Sequence, residues 1–362
     1  MEFLHTLAAS PGLFIGCCVA LGLLVGSFLN VVINRVPIMM DNELRAECDQ
    51  LLNCSADNGP AEAPADAAAD AHRDEPVETA ATEAAVEMPA SGTSDPASPL
   101  PTGASPEAVV EVEVEVEVEA KHSEPSAFNL VVPRSACPNC KAPITALQNV
   151  PVVSWLVLRG KCANCKTPIS MRYPAVELAT GVLSGFIAWH FGYGGLALAA
   201  LAFTWLLIAL TMIDFDTQYL PDQLTYPLLW LGLIMSLWQP AWGGGADSVG
   251  PADSIIGAVA GYLSLWSVYW AFKLLTGKEG MGYGDFKLFA ALGAWLGWKM
   301  LLPIIVLASG VGAIFGVILM IRQRKGKDMQ LAFGPFLAIA GWLALVAGHS
   351  FMARYFPFFV VG

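Results

Sequence analysis

Apolar residues in this chain come in long blocks rather than at the spacing of an amphipathic helix or strand. Residues 12–34, 175–191, 196–213, 224–238, 255–275 and 331–348 carry almost no charge. A bilayer crossing needs about 20 such residues. A large water-soluble helical core would instead present alternating polar and apolar faces, so the pattern excludes one. The stretch 286–298 is short for a crossing, and the apolar run resumes after Trp298-Lys299. Two shortish helices broken there bring the expected count to eight. The fold class read from the pattern is an all-α polytopic membrane protein with about eight transmembrane helices.

The gaps between blocks set the organisation. Helix 1 is expected to end near Arg35-Val36-Pro37, so residues 1–37 form the first unit. Residues 41–126 form an insert rich in Ala, Pro, Ser, Asp and Glu, ending in the alternating run Glu111 to Glu119. This insert holds 21 acids and 3 bases, whereas the rest of the chain is net positive despite the overall charge of −12. Low hydrophobicity with charge of one sign does not offset the ordering entropy. We therefore expect a disordered, solvated spacer between helices 1 and 2. Residues 127–173 form a small unit around paired cysteines, and residues 174–362 hold the remaining helices.

Short loops rich in Lys and Arg stay in the cytoplasm. Arg134, Lys141, Arg159, Lys161, Lys166 and Arg172 place the loop after helix 1 there, as Arg322, Arg324, Lys325 and Lys327 do for the loop before the last helix. The loop 239–252 has no Lys or Arg and is expected outside. Met1 to Pro11 also lacks them, so the first apolar run reads as a retained helix rather than a cleaved signal peptide. Trp189, Tyr193, Trp238, Trp242 and Trp298 near helix ends read as interface anchors.

Acids in membrane segments cost a few kcal/mol or more each and are functional candidates by default. Asp214 follows the run 196–213, Asp285 closes Gly280-Met281-Gly282-Tyr283-Gly284-Asp285, and Glu177 opens helix 2. In the expected topology Asp214 and Asp285 sit at the cytoplasmic ends of two helices, at similar depth. Two carboxyls there can share a proton, one acting as general base and one as general acid. Gly282 and Gly284 would let an extended substrate backbone approach. A phosphate cradle is excluded, because no strand precedes the glycines and no Gly-Lys-Ser/Thr follows. Asp216 and Asp222 fit solvated helix ends better than a paired site. A transporter using intramembrane acids is the competing class, and it predicts acids at mid-bilayer.

Cys137-Pro138-Asn139-Cys140 and Cys162-Ala163-Asn164-Cys165 lie 21 residues apart. Four thiolates in two such knuckles suit a structural tetrahedral Zn²⁺, with a redox pair as the alternative. Cys17, Cys18, Cys48 and Cys54 are scattered, and Cys17 and Cys18 read as packing residues. Asn30 and Asn34 share a face of helix 1 and read as packing or inter-helix hydrogen bonding. Tethering to many membrane helices argues against nucleic acid as a partner.

Taken together, these motifs resemble the type IV prepilin leader peptidase/N-methyltransferase family of intramembrane aspartyl proteases. Gly282-Tyr283-Gly284-Asp285 is similar to its Gly-x-Gly-Asp motif, and Asp214 with Leu220-Pro221-Asp222 to its partner motif. Gly26-Ser27-Phe28-Leu29-Asn30 with Arg35, Tyr173-Pro174 with Glu177, and the paired cysteines also match, in order. The resemblance covers essentially all of the chain outside 41–126, and the insert is the departure from the family. It implies Asp214 and Asp285 as the catalytic pair, with Gly282, Gly284, Glu177 and Asp222 as candidate substrate contacts. It also implies a peptidase domain over 174–362 and a methyltransferase-associated zinc unit over 127–173. Its implied substrates are type IV prepilins and type II secretion pseudopilins, cut at the cytoplasmic face of the bacterial inner membrane. S-adenosylmethionine is the implied methyl donor, and membrane lipid the implied surroundings.

Overall fold

A computed structural model of the chain describes residues 2–57, 128–238, 249–278, 280–323 and 332–355. The Glu111–Glu119 run, most of the acidic insert, Trp242 and the basic residues 324–327 lie outside the described residues.

The described residues are helical throughout, apart from loops and two isolated bridges. In chain order the helices are α1 (Glu2–Ala9), α2 (Pro11–Asp57), α3 (Val153–Val157), α4 (Arg172–Phe191), α5 (Gly195–Thr217), α6 (Asp222–Trp238), α7 (Pro251–Thr276), α8 (Tyr283–Leu296), α9 (Leu301–Gln323) and α10 (Gly334–Tyr355). Among the described residues four segments are long and apolar enough to cross a membrane: Pro11–Leu51, Gly195–Thr217, Pro251–Thr276 and Trp298–Arg322. Gly334–Gly348 is a shorter apolar stretch. At 1.5 Å per residue, the 14-residue α8 spans about 21 Å, less than a hydrocarbon core of about 30 Å. The chain breaks after α8 at Gly297, whose φ of 77° is open to glycine. A 3-10 turn at Trp298–Met300 then leads into α9, at the break expected from the sequence.

One expectation is corrected. The first helix does not stop at Pro37 but runs on to Asp57, so residues 41–57 of the supposed spacer are helix. Met39, Met40, Glu43, Leu44, Arg45, Ala46 and Glu47 are strong helix formers. Asp41 and Arg45 add an ion pair of 2.9 Å one turn apart. Together these outweigh the hydrogen bond lost at Pro37.

The main core gathers around α8. Ten of its 14 residues are buried, so it packs against neighbouring helices on most of its sides. Phe286, Phe289, Leu292 and Trp295 pack against Phe203, Leu207 and Leu210 of α5, Leu228 of α6, Leu265 and Tyr269 of α7 and Leu337 of α10. Because lipid is as apolar as leucine, packing between membrane helices comes from close approach and polar contacts. Gly257 and Gly293 bring α7 and α8 together backbone on backbone, where a Cβ on either would strike the other's carbonyl. Ser254 donates to the Ala294 carbonyl at 2.6 Å, and the Trp295 indole donates to the Leu228 carbonyl at 2.8 Å. The other pair, α2 and α4, meets through Gly22 and Gly26 on one side and Gly181 and Gly185 on the other. The Asn30 amide donates across this seam to the Tyr173 carbonyl at 3.0 Å, while Asn34 donates within its own helix.

Candidate active site

Asp214 lies in the last turn of α5 and Asp285 in the first turn of α8. Both are buried, at 4% and 7% exposure, and near enough for the charge of one to act on the other. The C-terminal turn of α5 closes with the Gln218 amide donating to the Asp214 carbonyl at 2.8 Å, Gln218 adopting a left-handed conformation. On the other side the Asp285 amide donates to the Gly282 carbonyl at 3.3 Å as α8 begins. Among the described residues Asp214 Oδ2 has no partner at hydrogen-bond geometry, although the Gly334 backbone amide faces the carboxylate. A buried acceptor left this way costs about 1–3 kcal/mol, more if charged, and such strain marks functional sites.

Glycine shapes the space around the pair. A Cβ on Gly334, at the start of α10, would stand 2.6 Å from Asp214 Oδ2. A Cβ on Gly284 would stand 2.7 Å from the Cβ of Leu220, which is itself buried. Leu220 thus fills the space at Gly284 that the sequence suggested for substrate. Gly282 is exposed and meets only Asp285, at 3.8 Å, so substrate approach remains open there.

The neighbouring acids are engaged. Asp216 takes a bidentate hydrogen bond from the Arg172 guanidinium, which also reaches the Met212 carbonyl. Asp222 accepts from Lys287 Nζ with both oxygens, at 2.6 and 2.7 Å. Lys287 also sits 5.2 Å from the Tyr226 ring centre. Glu177 accepts the Val152 amide at 2.7 Å and so ties α4 to the cysteine unit. Sequence reasoning had passed over Lys287, although an unpaired lysine inside an apolar run is itself a signal.

The cysteine unit is built from two like halves. In each, the residue four after the first cysteine is left-handed (Lys141 at φ 56°, Lys166 at φ 60°), and its amide donates back to that cysteine's carbonyl. The bridges Ala136–Pro143 and Lys161–Pro168 close the two turns. Asn139 donates toward Cys165 Sγ and Asn164 toward Cys140 Sγ, at 3.8 and 3.7 Å. The four sulfurs of Cys137, Cys140, Cys162 and Cys165 all lie within 4.8 Å of one another. Hydrogen bonds from Thr167, side chain first and then main chain, hold the Cys165 thiol down to about 5. Amides of the second knuckle lower Cys162 too. Four convergent sulfurs, two of them with lowered thiol pKa values, fit a tetrahedral divalent metal. Arg35 fastens α2 to this unit, donating to the Asn129 and Pro133 carbonyls at 2.8 and 2.5 Å.

Comparison with known proteins agrees with these motifs. Residues 20–191 match the bacterial peptidase A24 N-terminal domain, and residues 201–317 match the type IV leader peptidase family. A protein of Stutzerimonas stutzeri named prepilin leader peptidase/N-methyltransferase is 45% identical over 352 residues, covering 97% of both chains. Proteins of the same name from Aeromonas hydrophila and Pseudomonas aeruginosa are 44% and 43% identical, covering 99% of each chain. No solved structure matches. Over almost its whole length, then, this chain belongs to the type IV leader peptidase family.

Proposed function

We propose that this protein removes the leader from type IV prepilins and N-methylates the exposed N-terminal residue. Peptidase and methyltransferase activity follow from family membership. The finer reading is an aspartate dyad of Asp214 and Asp285 cutting at the cytoplasmic face of a bacterial inner membrane. The observation that carries it is the pair of buried carboxylates on facing helix ends, one with an unpartnered oxygen.

A dyad works because two close carboxyls favour holding a single proton between them. The ionised partner takes a proton from water as that water attacks the scissile carbonyl. The protonated partner then gives its proton to the departing amine. The open backbone at Gly282 lets an extended peptide lie beside Asp285. A leader that stays in the cytoplasm, joined to an apolar segment in the bilayer, presents its scissile bond at the depth of these helix ends. Related pseudopilins of type II secretion share that geometry and are proposed substrates.

In this reading α2 and α4–α10 are the eight membrane helices, with α8 and α9 as the broken pair. Residues 1–37 and 174–362 then form the membrane part, with the peptidase in the latter. Residues 127–173 are a cytoplasmic cap held by structural Zn²⁺ on Cys137, Cys140, Cys162 and Cys165, where the metal supplies a cross-link between the knuckles. S-adenosylmethionine is the methyl donor. A transporter is disfavoured because Asp214 and Asp285 lie at helix ends.

The test is incubation of the purified protein with a prepilin, read by mass spectrometry. Wild type and Asp216→Ala should lose the leader mass, and Asp214→Ala and Asp285→Ala should not. A gain of one methyl should require S-adenosylmethionine. Cleavage by both Asp214→Ala and Asp285→Ala would rule out the dyad.

A further inference from the structure

The ion pair between Asp222 and Lys287 has no role in the chemistry above, yet it sits where the two aspartate-bearing helices are spaced. Lys287 lies two residues beyond Asp285 on α8, and Asp222 opens α6. The link from α5 to α6 is the four-residue segment 218–221. Its Leu220, only 4% exposed, is wedged between two glycines. Its Cβ lies where Gly284 leaves room, and its Cδ1 would be 3.2 Å from a Cβ on Gly334. Gly284 directly precedes Asp285, and Gly334 lies against Asp214. One leucine therefore packs against the glycine that precedes Asp285 and the glycine that abuts the Asp214 carboxylate.

We propose that the Asp222–Lys287 pair is a clamp that pins this wedge and so fixes the separation of Asp214 and Asp285. Both residues are positioning residues, acting through Leu220 and Gly284 without exchanging protons with substrate. The pair is well suited to this. Lys287 reaches both carboxylate oxygens at 2.6 and 2.7 Å, and its ammonium also lies over the Tyr226 ring, 5.2 Å from its centre. Both partners are partly shielded, with side chains 25% and 39% exposed, so the bond is screened less than a surface pair. The inference assigns Asp222 to the clamp rather than to substrate contact. It rests on the dyad reading.

Prepilin cleavage by Lys287→Met, Asp222→Asn and the exchanged pair Asp222→Lys/Lys287→Asp tests it, together with methylation of an already processed pilin. A reacting group misplaced by about 1 Å loses about 100-fold in rate. The single variants should therefore lose roughly 10- to 100-fold in kcat with KM within about twofold. Methylation of the processed pilin should be unchanged, and the exchanged pair should recover most of the cleavage rate. Wild-type kcat in either single variant would overturn the clamp. So would a raised KM at constant kcat, which marks a substrate contact. If a single variant loses both activities, the exchanged pair decides, and failure to restore cleavage would overturn the clamp. Asp214→Ala and Asp285→Ala run alongside separate the two readings. Cleavage by both sinks the dyad, whereas their inactivity beside fully active clamp variants sinks only the clamp.

Discussion

Adding one methyl group at Gly334 should disable cleavage while leaving the fold intact. The new Cβ of Gly334→Ala would stand 2.6 Å from Asp214 Oδ2, 3.1 Å from its Cγ and 3.2 Å from Leu220 Cδ1. Ordinary contact begins near 3.4 Å, so the oxygen must retreat by roughly 0.8 Å. The carboxylate is the far end of a side chain and can turn aside, which spares the backbone but moves the reacting group. A shift of that size should cost about 10- to 100-fold in kcat. The assay is prepilin cleavage in detergent or proteoliposomes, with methylation of processed pilin as the internal control for folding. Gly310→Ala in α9 is the matched control, because nothing lies within 4 Å of its added Cβ. Gly334→Ala cleaving at the wild-type rate would refute the claim that the Asp214 carboxylate must stay where the structure puts it. Equal losses in both alanine variants would refute the local mechanism.

Further outcomes follow from the packing and the cysteine unit. Gly257→Val or Gly293→Val should lower the unfolding temperature in a thermal-shift assay well beyond Gly310→Val, since the new side chain meets backbone that cannot yield and overpacking costs about 1–3 kcal/mol or more. Equal melting of the three would show that α7 and α8 do not meet there. Purified protein should carry about one zinc per chain by elemental analysis, and Cys137→Ser or Cys162→Ser should release it; full retention in either variant would argue against a four-sulfur site. Glu177→Ala strands the Val152 amide, whose residue already sits at a φ of 57°. Limited proteolysis near Arg159 should then accelerate several-fold, and an unchanged cutting rate would show that Glu177 is not a fastener.

Which parts of this protein can be read from the chain depends on how local the cause is. Apolar block length predicts the helices well, because burying the backbone in lipid leaves few options. The break near Trp298 was visible as an interruption in hydropathy, and Gly297 supplies the conformation that makes it. The two knuckles were visible because their turns are set by residues within seven positions of each other. The end of α2 was misjudged because a proline was weighed above the helix formers after it. The partners of Glu177, Asp216, Asp222 and Gly284 were hidden because each is reached across 25 to 65 positions of chain.

The sequence by itself determined that this chain is a helical membrane protein with two aspartates at helix ends and four cysteines spaced for a metal. Those properties depend on composition and short-range spacing, which the chain carries wherever it lies. Only the tertiary structure decided that Asp214 keeps an unpartnered oxygen while Asp216 and Asp222 are taken up by Arg172 and Lys287. It alone decided that Leu220 rather than substrate fills the space at Gly284. The physical reason is that an acid's chemistry depends on which donors and charges approach it in space, and that approach is fixed by how closely the helices carrying them can pack.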